Sequence, residues 1–133
     1  MIKRKRSNFD LFMALIAFIL ILFGYHKAHG QELKRPVLTK AIGVIESGLN
    51  PFARGKHHER GAYQVIERHW GKVPRQLHEQ GLQHERILEE LLKASGGNVE
   101  NAVRRYNGRG QKAARYARRV RREAIQIALL GVI

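Results

Sequence analysis

Apolar residues recur along most of this chain at spacings of three and four. Leu38, Ala41, Ile42 and Ile45 fall at i, i+3, i+4 and i+7, which is one stripe of an α-helix. Pro36 suits the first turn of that helix, and Gly48 followed by Asn50-Pro51 supplies its stop. A glycine- and charge-rich stretch over 54–61 reads as a loop, and 64–70 as a short helix ending before Gly71 and Pro74. A further helix is predicted over 83–94, with Ile87, Leu88, Leu91 and Leu92 inward and Gly96-Gly97 closing it. Asn98 can cap the next, whose stripe is Val99, Ala102, Val103 and Tyr106. A last helix starts near Gln111 and buries Ala113, Tyr116 or Ala117, Val120, Ala124 and Ile127. No long run alternates with a period of two, so no large sheet is expected and the domain is expected to be all-α.

The N-terminus breaks this periodicity. Lys3-Arg4-Lys5-Arg6 is followed by an uncharged, strongly apolar run over 11–25 and then by the small residues of Ala28-His29-Gly30. Fifteen helical residues reach about 22 Å, short of a hydrocarbon core of about 30 Å. The order is that of a secretory signal peptide cut after Gly30, or of a signal anchor that stays in place. Both export the remainder, because the basic cluster stays on the cytoplasmic side. The chain therefore divides into residues 1–30, a signal or anchor, and residues 31–133, one small domain. The exported part is expected in the periplasm or cell envelope, and on the inner membrane only if the segment is uncleaved.

Charge then changes meaning. The 133 residues carry 25 Lys and Arg against 11 Asp and Glu, a net +14. Residues 1–30 hold five of the basic and one of the acidic residues, which leaves 20 against 10, or +10, on the exported domain. An exported cation is expected to meet the anionic polymers of a bacterial envelope rather than nucleic acid. Much of the excess lies on the last helix, at Lys112, Arg115, Arg118, Arg119, Arg121 and Arg122. Cysteine is absent, so disulfides, thiolate metal sites and cysteine nucleophiles are excluded. The only aspartate is Asp10, so any acid–base chemistry in the exported domain rests on glutamate and histidine.

Glu46 stands at the edge of the first helix's apolar stripe, in its last turn. Burial and the negative end of the helix dipole both disfavour its ionised form. A carboxyl group kept protonated near neutral pH is what general-acid cleavage of a glycosidic bond requires.

The residues around it form a motif. Ile45-Glu46-Ser47-Gly48-Leu49-Asn50-Pro51-Phe52-Ala53 resembles the Glu-Ser motif of soluble lytic transglycosylase (SLT-type) domains, relatives of goose-type lysozyme. Gly61-Ala62-Tyr63-Gln64 resembles the family's Gly-x-x-Gln segment, and Tyr106-Asn107-Gly108 its Ala-Tyr-Asn motif, with Arg105 where alanine is usual. Tyr116 matches a late family tyrosine. The resemblance covers about residues 37–122, with four motifs in family order. It implies a lysozyme-like helical fold and a peptidoglycan lytic transglycosylase that cleaves the MurNAc–GlcNAc β-1,4 bond and forms a 1,6-anhydro sugar. It implies Glu46 as the single catalytic acid/base, with Tyr106 and Tyr116 orienting it. Asn107 and Gln64 would then offer amides to the glycan, Tyr63 would stack on a sugar ring or serve the core, and Ser47 would touch sugar or hold the helix end. The implied partner is the peptidoglycan glycan strand, in a small enzyme suited to serve a secretion, conjugation or pilus apparatus.

Other residues support weaker alternatives. Glu59 or Glu67 would supply a second carboxylate and turn the reaction into lysozyme-like hydrolysis. His57-His58-Glu59 with His69 lacks the His-Glu-x-x-His spacing of a zinc helix, and no metal or other cofactor is expected. Trp70 reads as core or as a stacking platform. A basic envelope protein without catalytic activity, or a nucleic-acid binder, would share the charge but not the ordered motifs.

Overall fold

A computed structural model describes residues 34–131; the segment read as a signal or anchor lies outside the described residues. Helix α1, Arg35–Ser47, carries Pro36 in its first turn, where the missing N–H leaves no hydrogen bond unmade. It buries Val37, Leu38, Thr39, Ala41, Ile42 and Gly43. Gly43 faces the Leu49 side chain and the Tyr63 ring so closely that an added Cβ would fall 2.5 Å from Leu49 Cδ2 and 2.8 Å from Tyr63 Cε1. The helix ends because Gly48 turns left-handed, with φ 64°, and the amides of Gly48 and Leu49 return to the carbonyls of Val44 and Gly43.

Residues between α1 and the next long helix depart from expectation. Glu59–Arg60 (β1) pairs antiparallel with Val65–Ile66 (β2), in the register Glu59↔Ile66 and Arg60↔Val65. A bridge from Arg54 to Arg60 extends the pairing. The stretch expected to be loop over 54–61 thus contributes a strand. The helix expected over 64–70 shrinks to α2, Glu67–Trp70, with β2 ahead of it. Two-residue strands are too short to leave a period-two pattern, so only their turn residues are visible in sequence.

Helix α3, Leu77–Ala94, starts six residues ahead of the expected 83. The added turns bury Gln80, and the first turn of the expected helix buries Gln83 and His84; all three are polar and so hide the stripe from a hydrophobic reading. Helix α4, Val99–Asn107, is capped as predicted, with Asn98 Oδ1 accepting from the Asn101 amide at 2.9 Å. Helix α5, Gly110–Leu130, buries Ala113, Tyr116, Ala117, Val120, Ala124 and Ile127. It packs against α1 and α4, while α3 packs against α1 and α4 in turn. The described domain is therefore mainly helical with one small hairpin, in agreement with the all-α expectation. Leu38, Ile42, Leu88 and Val120 form the dry centre, with Gln80 and His84 beside them. Among the described residues no helix is long and apolar enough to cross a membrane.

Candidate active site

The α1 terminus, the β1–β2 hairpin and the C-terminal end of α4 surround a cleft of about 370 Å³. Glu46, Glu59, Gln64, Tyr106 and Asn107 line it, together with the 55–57 turn. Behind Glu46 stands α5, and the Tyr116 hydroxyl donates to Glu46 Oε1 at 2.6 Å, across 70 positions of sequence. Tyr116 is itself buried, so this donor approaches the carboxyl from the protein side, while Glu46 lines the cleft.

Burial is the main influence on Glu46 and raises its pKa above the ordinary carboxylate value. The Tyr116 hydrogen bond opposes this, the negative charge of Glu59 reinforces it, and Arg119, one turn on from Tyr116 along α5, opposes it. Glu59 shifts the other way. Its own backbone amide and that of His57 stabilise the carboxylate and hold it below the usual range, the His57 amide donating to Oε2 at 2.7 Å. One cleft therefore holds a carboxyl biased toward the protonated form and another biased toward the ionised form, the pattern by which acid and base roles separate. Burial, followed by the nearby Glu46 charge, pushes both the Tyr106 and Tyr116 phenols far above their usual range, so they act only as neutral hydroxyls.

Tyr106 lines the cleft while its hydroxyl donates inward to the Tyr63 carbonyl. Gln64 stands in the left-handed region at φ 50°, an unusual conformation for a side chain of its size, and its Nε2 donates to the Gly61 carbonyl at 2.9 Å. That bond turns the amide Oε1 toward Gly55, where an added Cβ would meet it at 2.6 Å and Glu59 Oε2 at 2.2 Å. The close fit ties the 55–57 turn to the cleft wall.

Of the residues singled out from sequence, Glu46, Gln64, Tyr106 and Asn107 share the cleft and Tyr116 supports Glu46 from behind. Ser47 and Tyr63 do not line it. Ser47 Oγ donates to the Ala62 carbonyl at 2.7 Å and accepts from the Asn50 amide at 3.0 Å, so it fastens the α1 end to the hairpin. The Tyr63 ring is 5 % exposed and stacked on His84, with centroids 4.6 Å apart. It cannot stack on a bound sugar, and its contribution to the cleft is the backbone carbonyl that receives Tyr106. Glu67 turns from the cleft to accept the Val73 amide at 2.9 Å, which leaves Glu59 as the second carboxylate. His69 accepts from Arg68 Nε at 3.2 Å, and among the described residues no three His or Glu side chains converge in a metal-binding group.

The residue missed from sequence is Gln80. Its side chain is 1 % exposed, and Oε1 accepts the Ala62 amide at 2.7 Å while Nε2 donates to the carbonyls of Pro51 at 3.0 Å and Pro74 at 2.7 Å. One amide thus pins both flanks of the hairpin to α3. His84 is the second. It is buried between Tyr63 and Tyr106, with Nδ1 3.1 Å from Thr39 Oγ1. Both residues continue the Ile87–Leu88–Leu91 stripe backward at helical spacing, and that continuation was the available signal.

No protein-family model, curated protein or solved structure matches the chain.

Proposed function

We propose that the domain is a peptidoglycan lytic transglycosylase of the SLT type, with a lysozyme-like helical fold, acting in the cell envelope. The observation that carries this reading is the Tyr116–Glu46 hydrogen bond at 2.6 Å. It joins residues that the sequence resemblance pairs and that lie 70 positions apart. Glu46 in its protonated form donates to the glycosidic oxygen between MurNAc and GlcNAc. The resulting carboxylate, stabilised by Tyr116, then accepts the proton of the MurNAc C6 hydroxyl as that oxygen attacks the anomeric carbon. The bond to the leaving sugar breaks, the 1,6-anhydro ether forms, and Glu46 returns to its starting form. Intramolecular attack supplies the proximity that a bound water would otherwise need from the protein. Asn107 and Gln64 line the same cleft and offer amides to the glycan's N-acetyl and hydroxyl groups. The small size of the domain suits an accessory role in a secretion, conjugation or pilus apparatus.

Glu59 supports a second reading. An ionised carboxylate on the same cleft is placed to activate water, which would make the enzyme a lysozyme-like hydrolase. Digestion of purified peptidoglycan in H₂¹⁸O separates the two. Anhydro-muropeptides without label, lost in Glu46→Gln and retained in Glu59→Gln, are expected. Labelled reducing ends abolished by either substitution identify the hydrolase. Absence of both products from a folded protein refutes enzymatic cleavage of peptidoglycan and leaves a basic envelope protein without catalytic activity.

A further inference from the structure

Helix α5 has two stripes. The inner one, from Ala113 to Ile127, closes the core. On the opposite side Arg115, Arg118, Arg122, Ile125 and Leu129 follow at spacings of three, four, three and four, and all five are exposed. This outer stripe changes chemistry along its length. Its first three members are arginines and its last two are apolar. Ile125 is 40 % exposed, Leu129 81 % and the adjoining Leu130 74 %. Lys112, Arg119 and Arg121 flank the arginines, and Glu123 is the only acidic residue of the helix.

Different partners satisfy different parts of this face. A polysaccharide or nucleic acid would neutralise the arginines and leave three large apolar side chains in water. A second copy of the chain would cover the leucines but bring the same arginine run, with Glu123 as the one acid on the helix, and so offer this face little counter-charge. A surface that is anionic outside and apolar a few ångströms deeper satisfies both halves. Arginine stems lie along such an interface with their guanidinium groups on phosphate, and a helix of this pattern rests in the plane of the bilayer rather than crossing it.

We propose that the outer face of α5 is a docking surface for an anionic lipid membrane. Arg115, Arg118 and Arg122 engage headgroup phosphates, and Ile125, Leu129 and Leu130 enter the boundary of the acyl region. The proposal stands on the helix surface alone and does not depend on the catalytic reading.

The apolar run at 11–25 would carry the full chain to any bilayer, so the test must read α5 locally. The chain has no cysteine, so Leu129→Cys in the full-length protein takes a single environment-sensitive NBD label. Glu90→Cys, on the exposed side of α3, serves as the control. Vesicles of phosphatidylcholine with one-third phosphatidylglycerol are compared with phosphatidylcholine alone. The expected result is a blue shift of the label at position 129 on the anionic vesicles, no shift of the label at position 90, and reversal by high salt. Adding Arg118→Glu and Arg122→Glu should weaken the lipid titration by roughly tenfold or more. No shift on anionic vesicles overturns the proposal. So does an equal shift on both vesicle types that survives the arginine reversals. A shift that grows with protein concentration in the absence of lipid identifies self-association instead and equally overturns it.

Discussion

Removing one oxygen atom tests the chemistry assigned to Glu46. Tyr116→Phe deletes the hydroxyl that donates to Glu46 Oε1 at 2.6 Å and leaves the ring, which is packed in the core, in place. The bond matters unequally over the reaction. In the ground state Glu46 is biased toward its neutral form, and a neutral acceptor gains little from a phenol. Once it has given its proton to the leaving oxygen it is a half-buried carboxylate whose donor on the protein side is Tyr116. A hydrogen bond to a charged group is worth about 1.5–3 kcal/mol. If most of that is realised only as charge develops on Glu46, turnover should fall by roughly 10- to 150-fold, at 1.36 kcal/mol per decade.

The same substitution moves the pH profile in a direction set by the structure. The Tyr116 bond lowers the Glu46 pKa against the larger upward push of burial. Without it the acid holds its proton to higher pH. The basic limb of kcat/KM, which reports deprotonation of the free enzyme's acid, should therefore move upward in Tyr116→Phe. The variant is expected to be slower and yet active further into the alkaline range. Release of soluble muropeptides measured across pH decides both points. A folded Tyr116→Phe variant that keeps more than a third of wild-type turnover, or whose basic limb moves down, refutes the role given to this hydrogen bond.

Three further outcomes follow from the same geometry. Gln80→Leu leaves the buried Ala62 amide without an acceptor at about 1–3 kcal/mol and removes two donations to carbonyls at about 0.5–1.5 kcal/mol each. A loss of about 2–6 kcal/mol should lower Tm by roughly 10 °C or more in calorimetry, at 4–8 °C per kcal/mol, and a drop of under about 4 °C contradicts the pinning role. Glu46→Gln should raise Tm at pH 7 while abolishing activity, because the raised folded-state pKa means that ionising Glu46 costs stability as pH climbs through it. That gain should vanish below the model-compound pKa of 4.5, and an equal gain at pH 4 and pH 7 would contradict burial as its source. Burial holds His84 neutral, lowering its pKa from 6.5 to about 3. Stability linked to it is complete above pH 6.5 and lost as pH falls toward 3, so denaturant titrations should show His84→Phe with a flatter loss over that window than wild type.

What could be read from the chain and what could not divide along one physical line. Residues that satisfy themselves by leaving water announce their place by spacing alone. Leu38, Ala41, Ile42, Ala113, Val120 and Ala124 were each assignable to a core face, and each is buried. Residues buried for their hydrogen bonds keep the helical spacing but lack the apolar character that makes spacing legible. Gln80, Gln83 and His84 carry the α3 stripe two turns toward the N-terminus from Ile87, yet a hydropathy reading starts the helix only at 83, because a polar Gln80 shows it no stripe ahead of that point. Their burial depends on partners that only the fold supplies: Ala62 N–H, the Pro51, Trp70 and Pro74 carbonyls, and Thr39 Oγ1. The candidate site divides in the same way. Glu46, Gln64, Tyr106 and Asn107 could be grouped from motifs, and they do meet on one cleft. Tyr63 could not be placed, because the spacing that sets it among them says nothing of which way a residue between Ala62 and a left-handed Gln64 will face. Its ring went to His84 and only its carbonyl to the site. The cleft is therefore shaped from behind, by an amide on α3 that pins the hairpin and an imidazole that fixes two tyrosines. The motifs hold residues on the cleft and Tyr116 behind Glu46, and they include neither Gln80 nor His84.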